Sequence, residues 1–147
     1  MLRRVQEIEI ERKFRAPPQE VWDVYTDHAG WSTWAGFGKS WLEVAGAPDR
    51  NGTGAVRGFS SAGVRVFEEV LEFEAPKRMT YRVVRGAGPM ENHLGEVIFE
   101  PDGAGTRLTW RCRFDSKVPG LGPLMRLFVA WIFRRALDGL ERHSFPG

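Results

Sequence analysis

The sequence predicts an α+β fold: seven short strands forming a curved antiparallel sheet around one long C-terminal helix, with two short helices after the first strand. Three observations carry this. Residues 5–15 alternate polar and apolar with period two. Residues 93–114 read as two strands joined by Pro101-Asp102-Gly103-Ala104-Gly105. The chain closes on an apolar-rich helix from about Pro123 to His143. A sheet wrapped on one terminal helix can enclose a cavity, which points to a protein that holds an apolar molecule.

Each element has its own warrant. In the first strand Ile8, Ile10 and Phe14 share one face, and Arg12 falls among them, so it needs a partner or a path to solvent. Pro17-Pro18 ends the strand and opens a helix, because a proline in the first turn loses no helical hydrogen bond. Val21, Trp22 and Tyr25 follow at helical spacing. Asp27 is placed to cap a second turn that sets Trp31 and Trp34 on one side. Strands follow at 41–44, 55–59, 64–74, 78–84, 93–100 and 106–114, separated by Gly- and Pro-bearing turns. In the long fourth strand Phe67, Leu71 and Phe73 share one face, and Val64, Val66 and Val70 the other. In the seventh, Leu108, Trp110, Cys112 and Phe114 share a face. Leu124, Leu127, Phe128 and Trp131 make a stripe on the last helix that should pack on the sheet or line the cavity, leaving Arg126, Arg134 and Arg142 nearer solvent.

The 147 residues are read as a single domain, 1–147, without repeats or linkers. Six Trp and ten Phe supply large apolar surfaces for a core or pocket. A net charge of only +2 with interleaved acids argues against nucleic acid as a partner. One cysteine and three scattered histidines offer neither a disulfide nor a paired metal-ligand spacing, so no metal and no cofactor is expected. Gly58-Phe59-Ser60-Ser61-Ala62-Gly63 has one residue too many for a nucleophile elbow, and Gly52-Thr53-Gly54 precedes a strand instead of opening a helix. No secretory leader is read at the start, and the longest apolar stretch, Leu127 to Phe133, is far shorter than the ~20 residues that span a bilayer. The expected location is the cytoplasm.

Residues 16–27 (APPQEVWDVYTD) with Trp31 and Trp34, residues 72–81 (EFEAPKRMTY) and residues 99–108 (FEPDGAGTRL) resemble the polyketide cyclase/dehydrase and lipid-transport superfamily, also called SRPBCC, START-like or Bet v 1-like. The resemblance covers essentially the whole chain. It implies a helix-grip fold with a cavity between sheet and helix. It leaves activity open, because members include cyclases, lipid carriers, hormone receptors and co-chaperones.

Three function classes follow. The leading one is binding or transport of a small hydrophobic ligand, lipid-like or polyketide-like. The second is a cyclase or dehydratase acting on a cavity-held substrate. The third is an interaction module, co-chaperone-like or toxin-like. Ligand-lining candidates are Trp34, Phe37, Trp41, Phe59, Phe67, Tyr81, His93, Trp110, Phe128 and Trp131. For acid/base work the candidates are Glu69, which alternates with Phe67 and Leu71; Tyr81, between Met79 and Val83; and His93, in phase with Gly95, Val97 and Phe99. Between Leu124 and Phe133 the helix is apolar nearly all round. The part that does not grip the sheet can cover the cavity mouth, form a homodimer, or touch a membrane surface transiently with Arg126, Arg134 and Arg135 at anionic head groups.

Overall fold

The computed structural model describes residues 5–36, 38–86 and 88–146. β1 (Gln6–Phe14) keeps the predicted alternation, burying Ile8, Ile10 and Phe14 while its glutamates face water. α1 (Pro18–Tyr25) starts on its proline and buries Val21, Trp22 and Tyr25. A 3₁₀ turn, His28–Thr33, follows. Asp27 makes no side-chain cap there; its carbonyl accepts the Gly30 N–H at 3.0 Å.

The remaining strands are β2 (Lys39–Val44), β3 (Val56–Ser61), β4 (Val64–Glu74), β5 (Arg78–Arg85), β6 (Met90–Asp102) and β7 (Gly105–Ser116). They form one seven-stranded antiparallel sheet in the order β1-β7-β6-β5-β4-β3-β2. β6 and β7 run longer than the sequence suggests. Asp102 pairs directly with Gly105, so only Gly103 and Ala104 turn the chain, with Gly103 at φ 61°.

β4 departs from simple alternation. Register shifts interrupt it between Phe67 and Glu68 and between Val70 and Glu72. Bulges of this kind re-aim side chains. Val70 joins the core cluster, and Phe73 packs against that cluster from the same strand, so the two do not lie on opposite faces.

α2 (Gly122–Ser144) grips the sheet with Ala130, Phe133, Ala136, Leu137, Gly139 and Leu140. Small residues also let the helix approach the end of the 3₁₀ turn: a Cβ on Gly139 would overlap the Trp34 carbonyl. The Phe133 ring stacks on Trp110 with centroids 3.8 Å apart. Arg12 finds its partners on the same helix, Asp138 at 2.8 Å and Glu141 at 3.1 Å, and so ties β1 to α2. The stripe expected to pack on the sheet or line the cavity does not pack on the sheet, though Phe128 and Trp131 line the cavity between sheet and helix. Leu124, Leu127, Phe128 and Trp131 are 54–64% exposed. The helix is apolar nearly all round in that stretch, so helical spacing alone could not select the buried face.

Candidate functional site

A cavity of about 800 Å³ lies between the concave sheet face and the first half of α2. Its size is in the range of small-molecule sites. One end of the space between sheet and helix is filled by rings. Trp22 packs on Phe73 and Phe99, and Tyr25 packs on Trp31, Phe99 and Trp110. The other end stays open, walled by Phe59, Val66, Tyr81, Val83, Trp110 and Ile132. Phe128 and Trp131 stand at its mouth, lining the cavity while half-exposed.

Polar groups enter this wall from four strands. Arg57 and Glu68 are direct cross-strand partners on β3 and β4. The Arg57 guanidinium is 1% exposed and donates from Nε and Nη2 to one Glu68 oxygen, each at 2.9 Å. It also lies 4.5 Å from the Tyr81 ring centre, 4.9 Å from Trp31 and 5.3 Å from Phe59, a cation caged by aromatic faces. Burial disfavours its charge more than any other single cause, but Glu68, Tyr25 and Tyr81 together outweigh burial and hold its pKa above the ordinary value.

His28 completes the cage from behind. Its Nε2 bonds the Asn51 carbonyl at 2.8 Å, which places the ring proton there and turns bare Nδ1 toward Arg57 Nη1 at 3.4 Å. Burial, with Arg57 adding to it, pushes the His28 pKa down to about 3. Among the described residues the buried Tyr25 hydroxyl has no hydrogen-bond partner at good geometry; burial raises its pKa, and nearby Arg57 opposes that rise.

Tyr81 on β5 accepts the Trp110 Nε1–H at 2.6 Å. Its ring lies flat over Gly95 of β6, where any Cβ would overlap it. His93 sits in a bulged part of β6, within the register shift between Glu91 and Leu94. Its Nδ1 accepts the Val83 N–H at 3.0 Å, and burial lowers its pKa. Cys112 is buried and its thiol is pushed up to about 12, which leaves it inert as a nucleophile. Among the described residues no group of three His, Cys, Asp or Glu is arranged to hold a metal ion.

The cavity brings together six of the sequence-derived candidates: Phe59, Tyr81, His93, Trp110, Phe128 and Trp131. Four lie elsewhere. Trp34 is packed in the core against Trp31 and Tyr25. Trp41 and Phe67 pack on each other away from the cavity, with Arg85 over Phe67, because the ring of Trp41 crosses Gly58 on the face opposite Arg57. Glu69 is turned to the same outer face and pairs with Arg82 at 2.8 Å. Both faces of β4 carry apolar residues, so alternation does not tell which face is inner; Val66 and Glu68 are on it, Phe67 and Glu69 are not. Phe37 lies outside the described residues. The sequence reading passed over Arg57, Glu68 and His28. Arg57 was detectable, since it keeps phase with Ala55 and Phe59 on an otherwise apolar strand face.

A family model described as polyketide cyclase/dehydrase and lipid transport matches residues 5–144. No curated protein matches the chain. Among solved structures, XoxI from Bacillus cereus superposes with a TM-score of 0.76 at 16% identity, covering 92% of this chain and 93% of that one. CalU16 from Micromonospora echinospora gives 0.69 at 23% identity over 97% and 78% of the two chains. Ara h 8.0201 gives 0.65 at 14% identity over 95% and 99%. At these identities the likeness is one of fold.

Proposed function

Because this chain belongs to the polyketide cyclase/dehydrase and lipid transport family, we propose that it binds and carries a small, mostly apolar molecule, lipid-like or polyketide-like. One observation carries the reading: a cavity of about 800 Å³ walled by aromatic and aliphatic side chains, with half-exposed Phe128 and Trp131 at its mouth. The reading places the protein in the cytoplasm, where a lone thiol such as Cys112 stays reduced. Native mass spectrometry of the protein purified from its own host should find a retained small molecule. A bare chain that also fails to bind N-phenyl-1-naphthylamine would overturn the reading.

The exposed helix stripe supports a delivery step at a membrane. Leu124, Leu127, Phe128 and Trp131 can enter the head-group layer while Arg126, Arg134 and Arg135 meet anionic lipid. No helix is long and apolar enough to cross the bilayer, so contact would be peripheral. Vesicles rich in phosphatidylglycerol should retain the protein better than phosphatidylcholine vesicles, and Leu127→Asp should release it. A concentration-dependent dimer that Leu127→Asp dissolves would instead assign the stripe to a second copy of the chain, and a protein partner captured through it would favour the interaction-module class.

The second reading is a cyclase or dehydratase, favoured by Glu68, Tyr81 and His93 sharing the cavity wall. Glu68 takes the place first considered for Glu69 as the carboxylate facing the ligand. Under this reading Tyr81→Phe and Glu68→Gln each lower turnover while ligand affinity holds.

A further inference from the structure

Two hydrogen-bond donors in the cavity wall have protons that the protein itself does not use. The Tyr81 oxygen accepts from Trp110 Nε1, but no acceptor among the described residues takes the Tyr81 O–H proton. The His93 Nδ1 accepts from the Val83 amide, which leaves the neutral ring with its proton on Nε2, again with no acceptor among the described residues. Tyr81 and His93 come from adjacent strands, their ring centres are 5.5 Å apart, and both line the cavity. Each group keeps a proton for a partner in the cavity, so this arrangement suits a ligand that brings an acceptor.

The charges beside them restrict what that acceptor can be. The Arg57 cation is matched by Glu68, and Glu68 itself faces the cavity. An anionic group placed here would meet the Glu68 carboxylate, with the Arg57 charge already paired. Arg135, at the mouth, lies over the Trp131 ring and outside the inner end. We propose that the cavity selects apolar ligands that bury a neutral carbonyl oxygen, as in a ketone, quinone or ester, against Tyr81 and His93, and that it rejects free carboxylates. This inference rests on the ligand-binding reading above and specifies its ligand class.

A matched series of tricyclic probes tests it: fluorene, 9-fluorenone and fluorene-9-carboxylate, followed by quenching of tryptophan fluorescence. Two donors should make fluorenone bind about 25-fold more tightly than fluorene, and the carboxylate should bind at least tenfold more weakly than the ketone. The carbonyl stretch of bound fluorenone should move to lower wavenumber than in a hydrocarbon solvent. His93→Leu should weaken fluorenone about fivefold, leave fluorene unchanged, and move the stretch part of the way back. Tyr81→Phe should do the same. If that variant folds poorly because Trp110 loses its acceptor, the wild-type stretch and His93→Leu decide alone. Equal affinity for fluorene and fluorenone with an unshifted stretch overturns the inference and leaves the carrier reading standing. A carboxylate that binds best also overturns it. Failure of all three probes to bind overturns both.

Discussion

Removing the Arg57 guanidinium would leave the Glu68 carboxylate facing apolar rings without its counter-charge. Arg57→Met should therefore cost about 3–5 kcal/mol in chemical denaturation, and the double variant Arg57→Met/Glu68→Leu should recover much of that loss. His28 makes the same cluster sensitive to acid. Unfolded, its imidazole takes a proton near pH 6.5; folded, it resists until about 3, because burial disfavours the charge and protonating Nδ1 would also set it against Arg57. The unfolded state thus binds more protons between these values, and stability falls as pH drops through that window. At pH 5 the His28 contribution to the loss is about 2 kcal/mol relative to neutral pH. His93, also lowered by burial, acts in the same direction. Urea midpoints at pH 7 and pH 5 check this, and a midpoint unchanged at pH 5 would contradict the assigned His28 environment. At this scale the sequence was only partly legible. Tyr81, His93 and Trp110 reach the cavity because they keep phase with neighbours on strands whose inner face is clear. His28 was opaque, since its burial depends on Asn51, from a distant turn, and on Arg57, from β3.

Two aromatic residues two positions apart on α2 should respond differently to truncation. Phe133 is buried and stacked on Trp110, so Phe133→Ala should cost about 3–5 kcal/mol. Trp131 is 54% exposed, so Trp131→Ala should change stability by under about 1 kcal/mol while weakening ligand binding at the mouth. Denaturation with and without 9-fluorenone separates the two effects. A second element-level prediction concerns Gly95. Its Cα hydrogen lies under the Tyr81 ring, so Gly95→Ala should lift that ring, break the Trp110–Tyr81 bond and shift the Trp110 indole N–H resonance; an unmoved resonance would contradict the placement. Element identities were readable from proline and glycine punctuation, as at Pro17-Pro18 and Gly103. The gripping face of α2 was not, because Leu124 to Phe133 offers apolar residues in every direction. The buried face is chosen by where Ala130, Ala136 and Gly139 let the helix approach.

For the molecule as a whole, the order of elements was enough to foresee an antiparallel sheet held by one terminal helix, whereas the volume of the cavity was not foreseeable. It depends on which rings meet: Trp22, Tyr25 and Trp31 close one end, and nothing in their spacing says that Phe59 and Phe128 leave the other open. The same order of elements bears on how the chain is made. From β2 to β7 every strand pairs with its neighbour in sequence, but β1 pairs only with β7, Gln6 opposite Phe114 and Phe14 opposite Thr106. β1 is synthesised before β7 and must wait for it, and α2 follows later still. Until then a nascent chain presents an unpaired edge and an uncovered aromatic face, both prone to stick to other chains. Closing so long a loop places folding among the slow, non-local cases. Synthesis halted before Thr106 should yield a species held by chaperones or lost to aggregates, and a soluble, protease-resistant fragment spanning 5–104 would contradict that account.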